Sequence, residues 1–147
     1  VWVFSEIVFR KAFKARKLLY KTMEKIVLDT NFLMSVYELK LDVFQEIRKA
    51  VDFNYELFVI KQSINELEKL INKTGFSKKK EAIKFAMNLL GAKIKAKEVK
   101  ILDVPGEHVD DILAGLEGYI IATNDKELKS RCKRVLTIKQ KKYVMVE

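Results

Sequence analysis

The sequence contains a single cysteine, Cys132, and a single histidine, His108, in 147 residues. A lone cysteine excludes an intramolecular disulfide, and together with one histidine it is too little for a zinc site of Cys and His ligands. No apolar run approaches the roughly 20 residues of a membrane-spanning helix. The first charges follow the first apolar residues, the reverse of a secretory signal. These absences favour a cytoplasmic protein with a quiet, half-buried thiol.

Internal repeats and low-complexity linkers are also lacking. A chain of this length therefore makes one domain, or one domain with an extension. Hydrophobic residues make up 49% of the sequence and charged residues 33%, which is ordinary for a globular protein. We predict an extension over residues 1–22 and a domain over residues 23–147.

Positive charge is plentiful and concentrated near the N-terminus. The net charge of +9 suggests a polyanionic partner, nucleic acid before membrane. Residues 1–22 alone carry a net charge of +5, which leaves +4 for the remainder. They form a predicted basic amphipathic helix, to which we assign no function. Three interpretations of this segment remain open. It packs on the domain or on a partner, it binds to a membrane surface, or the protein begins at Met23.

Short apolar runs alternate with segments of helical periodicity from residue 25 onward. A continuous apolar run of this kind is typical of a buried parallel strand. Alternating strands and helices predict a three-layer α/β/α fold with a central parallel sheet and a C-terminal edge strand. The predicted strands cover residues 25–28, 57–60, 99–102, 119–122, 135–138 and 143–146.

Four acids stand where parallel strands end or the adjoining helices begin. Asp29 ends the first strand, Asp125 follows the fourth, Asp110 opens the helix before the fourth, and Glu66 lies one turn into the helix after the second. In a doubly wound sheet all four positions lie at one edge, where ligands bind.

Each acid also has a structural interpretation. Asp29 and Asp110 are suitable N-caps for the helices that follow them. Ser63 and Glu66 have the spacing of a capping box, and so do Asn124 and Glu127, which would leave Asp125 as an acid of the first turn.

Converging carboxylates repel one another unless a cation or a proton neutralises them. A cluster of three or four suits Mg²⁺ or Mn²⁺, ions that activate water and stabilise the charge developing on a phosphodiester. An acidic centre in a basic protein therefore suggests a nuclease. Candidate phosphate contacts are Lys126, Lys129, Arg131, Lys141 and Lys142.

Four short segments together resemble the acidic motifs of PIN-domain nucleases. They are Leu28-Asp29-Thr30-Asn31, Ser63-Ile64-Asn65-Glu66-Leu67, Val109-Asp110-Asp111-Ile112-Leu113-Ala114 and Ala122-Thr123-Asn124-Asp125-Lys126-Glu127-Leu128. The tail from Lys139 to Val144 is similar to the branch of small-subunit rRNA-processing endonucleases, and VapC toxins are a more distant likeness.

The resemblance implies a parallel sheet of order 3-2-1-4-5, a homodimer, and RNA cleavage that depends on Mg²⁺ or Mn²⁺. It also implies a toxin-like or rRNA-processing role, with an antitoxin or a ribosome-assembly partner. Asp29, Glu66, Asp110 and Asp125 match the family's catalytic and metal-binding acids by position. We expect supporting roles around these acids for Thr30, Asn31, Asp111, Thr123 and Asn124.

Two other functions compete with this prediction. A non-catalytic RNA-binding or ribosome-assembly module would keep the fold without turnover. A phosphohydrolase of the haloacid-dehalogenase type shares an acid at the end of the first strand, but its acid-x-acid pattern is absent because Asn31 occupies the second position. His108, next to the aspartate pair, is interpreted as a loop histidine.

Overall fold

The computed structural model describes residues 23–73, 75 and 77–147, so the predicted basic helix over residues 1–22 lies outside the described residues. Strands and helices alternate along the chain, as predicted. The strands are β1 (Glu24–Leu28), β2 (Tyr55–Ile60), β3 (Val99–Leu102), β4 (Ile120–Ala122), β5 (Val135–Lys139) and β6 (Tyr143–Val146). The helices are α1 (Thr30–Glu38), α2 (Val43–Ala50), α3 (Lys61–Lys73), α4 (Lys78–Lys95), α5 (Val109–Gly115) and α6 (Lys126–Arg131).

The six strands form one sheet in the order β3-β2-β1-β4-β5-β6. Strands β1 to β5 are parallel, and β6 pairs with β5 in the antiparallel direction as the C-terminal edge strand. The predicted order 3-2-1-4-5 and the edge strand are both confirmed. Strand β1 lies in the middle of the sheet because its apolar run is buried on both faces. Its carboxyl end is therefore flanked by the carboxyl ends of β2 and β4.

Helices cover the two faces of the sheet to very different extents. On one face α1, α2, α3 and α4 bury a large apolar cluster that includes Phe32, Ile47 and Ile83, and we call these helices the thick layer. On the other face α5 and α6 bury a small cluster around Leu113, Ile121 and Leu128, and we call this pair the thin layer. The alternation of side chains along β1, with Val27 facing the thin layer and its neighbours the thick one, follows from the pleat of the strand.

Two helix boundaries differ from their predicted positions. Helix α3 begins at Lys61 rather than at Ser63, directly after the last residue of β2. The sequence predicts that the helix after Pro105-Gly106 ends near Gly118, but α5 ends three residues earlier, at Gly115, and Gly118 has a positive φ of 78°. The segment between Asp110 and Asp125 therefore holds the rest of a two-turn helix, a short loop and β4.

In the described part of the chain, no helix is long and apolar enough to cross a bilayer. Cys132 is a free, partly buried thiol that packs against the thin-layer cluster, as predicted. Burial is the main cause that raises the pKa of this thiol, so the reactive thiolate is disfavoured.

Candidate active site

Asp29 occupies the carboxyl end of the central strand and is almost entirely buried, with 3% of its surface exposed. Its N–H donates to the Ala122 carbonyl (2.9 Å), which continues the β1–β4 ladder by one residue. Its Oδ1 accepts from the Thr30 N–H (2.8 Å) and its Oδ2 from the Thr123 hydroxyl (2.7 Å). Asp29 is also the N-cap of α1, so the structural interpretation is correct without excluding a functional one.

The carboxyl group of Asp29 has a raised pKa. Burial raises the pKa of Asp29 to about 6, and the negative charges of Asp110 and Glu66 act in the same direction. The hydrogen bonds from Thr123 and Thr30 oppose this rise. Two other carboxylates therefore lie close enough to act on a buried one, as an acidic centre requires.

Glu66 projects from the second turn of α3 and is partly buried. Burial first, and the charge of Asp110 second, raise the pKa of Glu66. The predicted capping box with Ser63 does not form, because α3 begins two residues earlier and the fully buried Ser63 hydroxyl has no hydrogen-bond partner among the described residues. The main structural interpretation of Glu66 is thereby removed.

The two aspartates of α5 have different surroundings. His108 is the N-cap of α5, so Asp110 and Asp111 are acids of its first turn rather than caps. Asp111 accepts from the Arg131 guanidinium (2.7 Å), and this bond lowers the pKa of Asp111. Asp110 is exposed, and its charge acts on both Asp29 and Glu66. Asp111 is therefore engaged in an ion pair, and Asp110 remains the predicted acid of the centre.

Asp110 and Glu66 line the same groove, which has a volume of about 640 Å³. The groove runs between α3 and the segment that leads into α5. His108 also lines it, on the exposed end of that segment. Further lining residues are Gln62, Asn65, Lys69, Gly106, Glu107 and Val109.

Asp125 is the N-cap of α6, where its Oδ1 accepts from the N–H groups of Glu127 (2.9 Å) and Leu128 (3.2 Å). The predicted cap at Asn124 is thus wrong by one residue. Asp125 is connected to Asp29 through Thr123, whose hydroxyl donates to Asp29 and accepts from the Asp125 N–H (3.1 Å). Thr123 is fully buried, so this link between the two acids is shielded from water.

The remaining supporting residues divide into two kinds. Thr30 contributes its N–H to Asp29, while Asn31 is exposed in the first turn of α1. The Asn124 amide instead connects structural elements: its Nδ2 donates to the Ser35 hydroxyl (3.0 Å) and its Oδ1 accepts from the Ile138 N–H (3.0 Å). Asn124 therefore joins α1 to β5 beneath the acids.

The predicted cationic contacts lie around the same edge of the sheet. Lys126 is exposed in the first turn of α6, and Lys141 and Lys142 are exposed in the turn between β5 and β6. Since β5 is parallel to β4, this turn is at the carboxyl edge with the acids. Two candidates have acidic partners: Arg131 pairs with Asp111, and Lys129 lies 3.9 Å from the Glu147 carboxylate.

The chemistry of the acids fits a hard divalent cation. Burial and the charges of neighbouring carboxylates raise the pKa values of Asp29 and Glu66, and a cation relieves both effects. Among the residues that the structure describes, however, no group of three or more His, Cys, Asp or Glu side chains is arranged to hold an ion directly. Mg²⁺ keeps several of its waters in proteins, so a set of more distant oxygen ligands is compatible with it.

Sequence reasoning missed Gln62, which donates from Nε2 to the carbonyls of Val104 (2.7 Å) and Gly106 (3.0 Å). It also missed Ser35, the partner of Asn124. Both contacts join residues more than 40 positions apart. Local periodicity carries no signal for such pairs.

Residues 26–141 match the family model of a PIN-like domain. The chain is 36% identical to Ribonuclease VapC4 of Methanocaldococcus jannaschii over 129 residues, which cover 82% of this chain and 95% of that protein. It is also 36% identical to Ribonuclease VapC9 of Archaeoglobus fulgidus over 128 residues, covering 82% of this chain and 87% of that one.

A solved structure described as the PIN domain endonuclease Utp24 has a similar fold. The TM-score is 0.65, with 23% identity, and the alignment covers 84% of this chain and 90% of that one. At this level of identity the likeness concerns the fold alone.

Proposed function

Because the chain belongs to the PIN-like domain family, we propose that it is a divalent-metal-dependent endoribonuclease that hydrolyses RNA phosphodiesters. The observation that carries the proposal is the convergence of three carboxylates at the carboxyl edge of the sheet: the charges of Asp110 and Glu66 help to raise the pKa of the buried Asp29, and the charge of Asp110 helps to raise the pKa of Glu66. Two relatives that are 36% identical and are named ribonucleases support the choice of RNA as the substrate.

Asp29, Glu66, Asp110 and Asp125 are the proposed catalytic and metal-binding residues. A bound Mg²⁺ or Mn²⁺ supplies an activated water and neutralises charge on the phosphate. The chain contributes the positions of the carboxylates. Thr123 orients Asp29 and holds the backbone of Asp125, while the N-terminus of α1 stabilises the ionised form of Asp29. Asp111 has the separate role of pairing with Arg131.

We propose that the RNA backbone contacts the exposed lysines at the same edge of the sheet as the acids. Lys126, which follows β4, and Lys141 and Lys142, which follow β5, are exposed cations at the carboxyl edge. Phosphate contacts of this kind give affinity without sequence preference. The proposed substrate is single-stranded, since a flexible unpaired strand can bring a phosphate up to the buried Asp29 more readily than a rigid duplex can.

We assign a toxin-like role before an rRNA-processing one. The identity to the two VapC ribonucleases is 36%, whereas the likeness to the Utp24 domain is one of fold. A toxin-like role implies an antitoxin partner, a homodimer and a cytoplasmic location. A processing role implies a ribosome-assembly partner instead.

The test is cleavage of a single-stranded RNA by the purified chain, with Mn²⁺ and with a chelator. We expect cleavage only with the metal, and a loss of at least about 100-fold in Asp29→Asn, because the buried carboxylate is removed while its size is kept. Asp42→Asn is the matched control, since Asp42 is an exposed N-cap of α2, away from the acids. Undiminished cleavage by Asp29→Asn contradicts the proposed centre.

The second candidate is a non-catalytic RNA-binding module. One observation favours it: among the described residues, no three potential ligands are arranged to hold an ion directly. For this module we expect RNA binding that saturates without cleavage at any Mn²⁺ concentration, and equal binding by wild type and Asp29→Asn. Filter binding and a cleavage gel on the same samples distinguish the two candidates.

A further inference from the structure

Gln62 connects the two elements that carry Glu66 and Asp110. It lies in the first turn of α3, one helical turn before Glu66, so both side chains project from the same side of the helix. Its Nε2 donates to the carbonyls of Val104 (2.7 Å) and Gly106 (3.0 Å). These carbonyls belong to the loop over residues 103–108, which leads directly into α5 and Asp110.

The orientation of the Gln62 amide is determined by its partners. Two carbonyl oxygens require a donor, so the nitrogen faces them and the oxygen faces away. The Gln62 Oε1 is buried and has no hydrogen-bond partner among the described residues. An unpaired buried acceptor is unfavourable. The unpaired Oε1 therefore offsets part of the stability that the two hydrogen bonds from Nε2 provide.

The loop is held from its other side by α5. Gly106 has a φ of +130°, and a Cβ atom built on it would lie 2.6 Å from Cγ1 of Ile112, a buried residue of α5. Only glycine combines that backbone conformation with so close an approach. The loop is thus fixed between the Gln62 amide and the Ile112 side chain, and it has little freedom to move α5.

We propose that Gln62 is a positioning residue that fixes the separation between Glu66 and Asp110 across the groove they share. This inference rests on the proposed function, because the separation matters only if the two carboxylates act together. Both carboxylates line one groove of about 640 Å³, and the two sides of that groove are the elements that Gln62 joins. Removal of such supporting hydrogen bonds typically lowers metal affinity or activity by about 10- to 100-fold.

The test uses Gln62→Met, which keeps the length of the side chain and removes both donors. Gln45→Met is the matched control, because Gln45 is an exposed residue in the first turn of α2. In metal-free Gln62→Met we expect amide hydrogen exchange over residues 104–112 to accelerate by about tenfold, as local opening becomes easier. The urea midpoint changes little, since the lost bonds are offset by removal of the unpaired Oε1.

Three further readouts separate positioning from a general structural role. We expect Gln62→Met to bind Mn²⁺ about tenfold more weakly and to lower kcat about tenfold, with the KM for RNA changed by less than about twofold. In combination with Asp110→Asn it should have no further effect on Mn²⁺ affinity, since both changes act on the same carboxylate. Gln62→Asn, which keeps a shorter amide, should be intermediate in every measurement.

The outcomes distinguish this inference from the proposed function. Unchanged exchange over residues 104–112 in both Gln62 variants overturns the positioning role. Additive effects of Gln62→Met and Asp110→Asn also overturn it, because Gln62 would then act elsewhere. Accelerated exchange in a chain that neither binds Mn²⁺ nor cleaves RNA overturns the proposed function and supports the anchoring of the loop by Gln62.

Discussion

The thick and thin layers pack on opposite faces of the same sheet and contribute differently to stability and to the candidate site. Of the described residues, twenty form the buried cluster on the thick-layer face and six form the one on the thin-layer face. The thick layer includes the 18-residue helix α4, whereas α5 and α6 have 7 and 6 residues. Apolar burial scales with the area removed from water, so most of the stability comes from the thick layer.

The thin layer carries two of the four acids, Asp110 and Asp125, on helices too short to be stable by themselves. Polar contacts position them instead: the Gln62 amide and the Asp125 cap. The comparison indicates that one layer sets how stable the protein is, and that the other sets where its carboxylates lie.

The largest effect should come from truncating the two cores with the same substitution. Leu90→Ala in α4 and Leu113→Ala in α5 each remove a buried leucine, with 3% and 0% of its surface exposed. Such changes lower the free energy of unfolding by about 2–5 kcal/mol, and by less where the surroundings collapse into the cavity. We expect Leu90→Ala at the upper end and Leu113→Ala at the lower.

Cleavage kinetics under native conditions complete that test. Leu113→Ala should lower kcat severalfold because α5 carries Asp110, while folded Leu90→Ala should retain the wild-type value. Equal losses of activity in the two variants would contradict the idea that the thick layer provides stability and the thin layer positions the carboxylates. Urea unfolding followed by circular dichroism measures the stability difference.

A smaller effect, of opposite sign, is expected from Asp29→Asn. Asp29 has a pKa of about 6 in the native state against 3.8 for an exposed aspartate, so keeping its carboxylate ionised at pH 8 costs up to about 3 kcal/mol. An acid with a raised native pKa favours folding at low pH, and that contribution is lost as pH rises from about 4 to about 6. Metal-free Asp29→Asn should therefore be more stable than wild type at pH 8.

At pH 4 the difference in stability between Asp29→Asn and wild type should vanish, because the wild-type carboxyl is then largely protonated. Asp42→Asn, at an exposed cap, should show no gain at either pH. A variant that is less stable than wild type at pH 8 would contradict the cost assigned to the buried charge. Urea unfolding in the presence of a chelator gives the values.

Charge removal at the carboxyl edge should have a moderate effect on RNA binding alone. We expect Lys126→Gln and Lys142→Gln to raise the KM for single-stranded RNA a fewfold and to lower the salt dependence of binding by about one counterion each. Lys95→Gln, in the last turn of α4 and so at the opposite edge, is the control. Equal effects in all three variants would indicate a general charge effect without a defined path for the RNA.

The smallest effect should come from Arg131→Gln, which breaks the ion pair with Asp111 between α5 and α6. Both side chains are exposed, at 40% and 63%, and exposed pairs contribute little because water screens them. We expect an unchanged urea midpoint and less than about a twofold change in kcat. A loss comparable to that of Gln62→Met would show that the surface pair, and not the Gln62 amide, places the thin layer.

The first residues of α3 and α4 show which helix boundaries can be predicted from the sequence and which cannot. The sequence predicts a helix that starts at Ser77, and Ser77 is indeed the N-cap of α4, with its hydroxyl accepting from the Lys80 N–H. Ser63 had an equally good local signal, yet α3 begins at Lys61 because β2 delivers the chain directly into the helix. A capping signal is local, but whether it is used depends on where the preceding strand ends against its neighbours.

The sequence by itself determined the alternation of strands and helices and the resemblance to the family, because apolar runs and short acidic motifs are local features. The central place of β1 followed only from that resemblance. The tertiary structure decided that Asp29 is buried deeply enough to hold its proton to about pH 6 and that Arg131 pairs with Asp111. It also decided that Gln62 reaches Val104 and Gly106. These properties depend on side chains that are distant along the chain and meet only when the sheet and its two layers have formed.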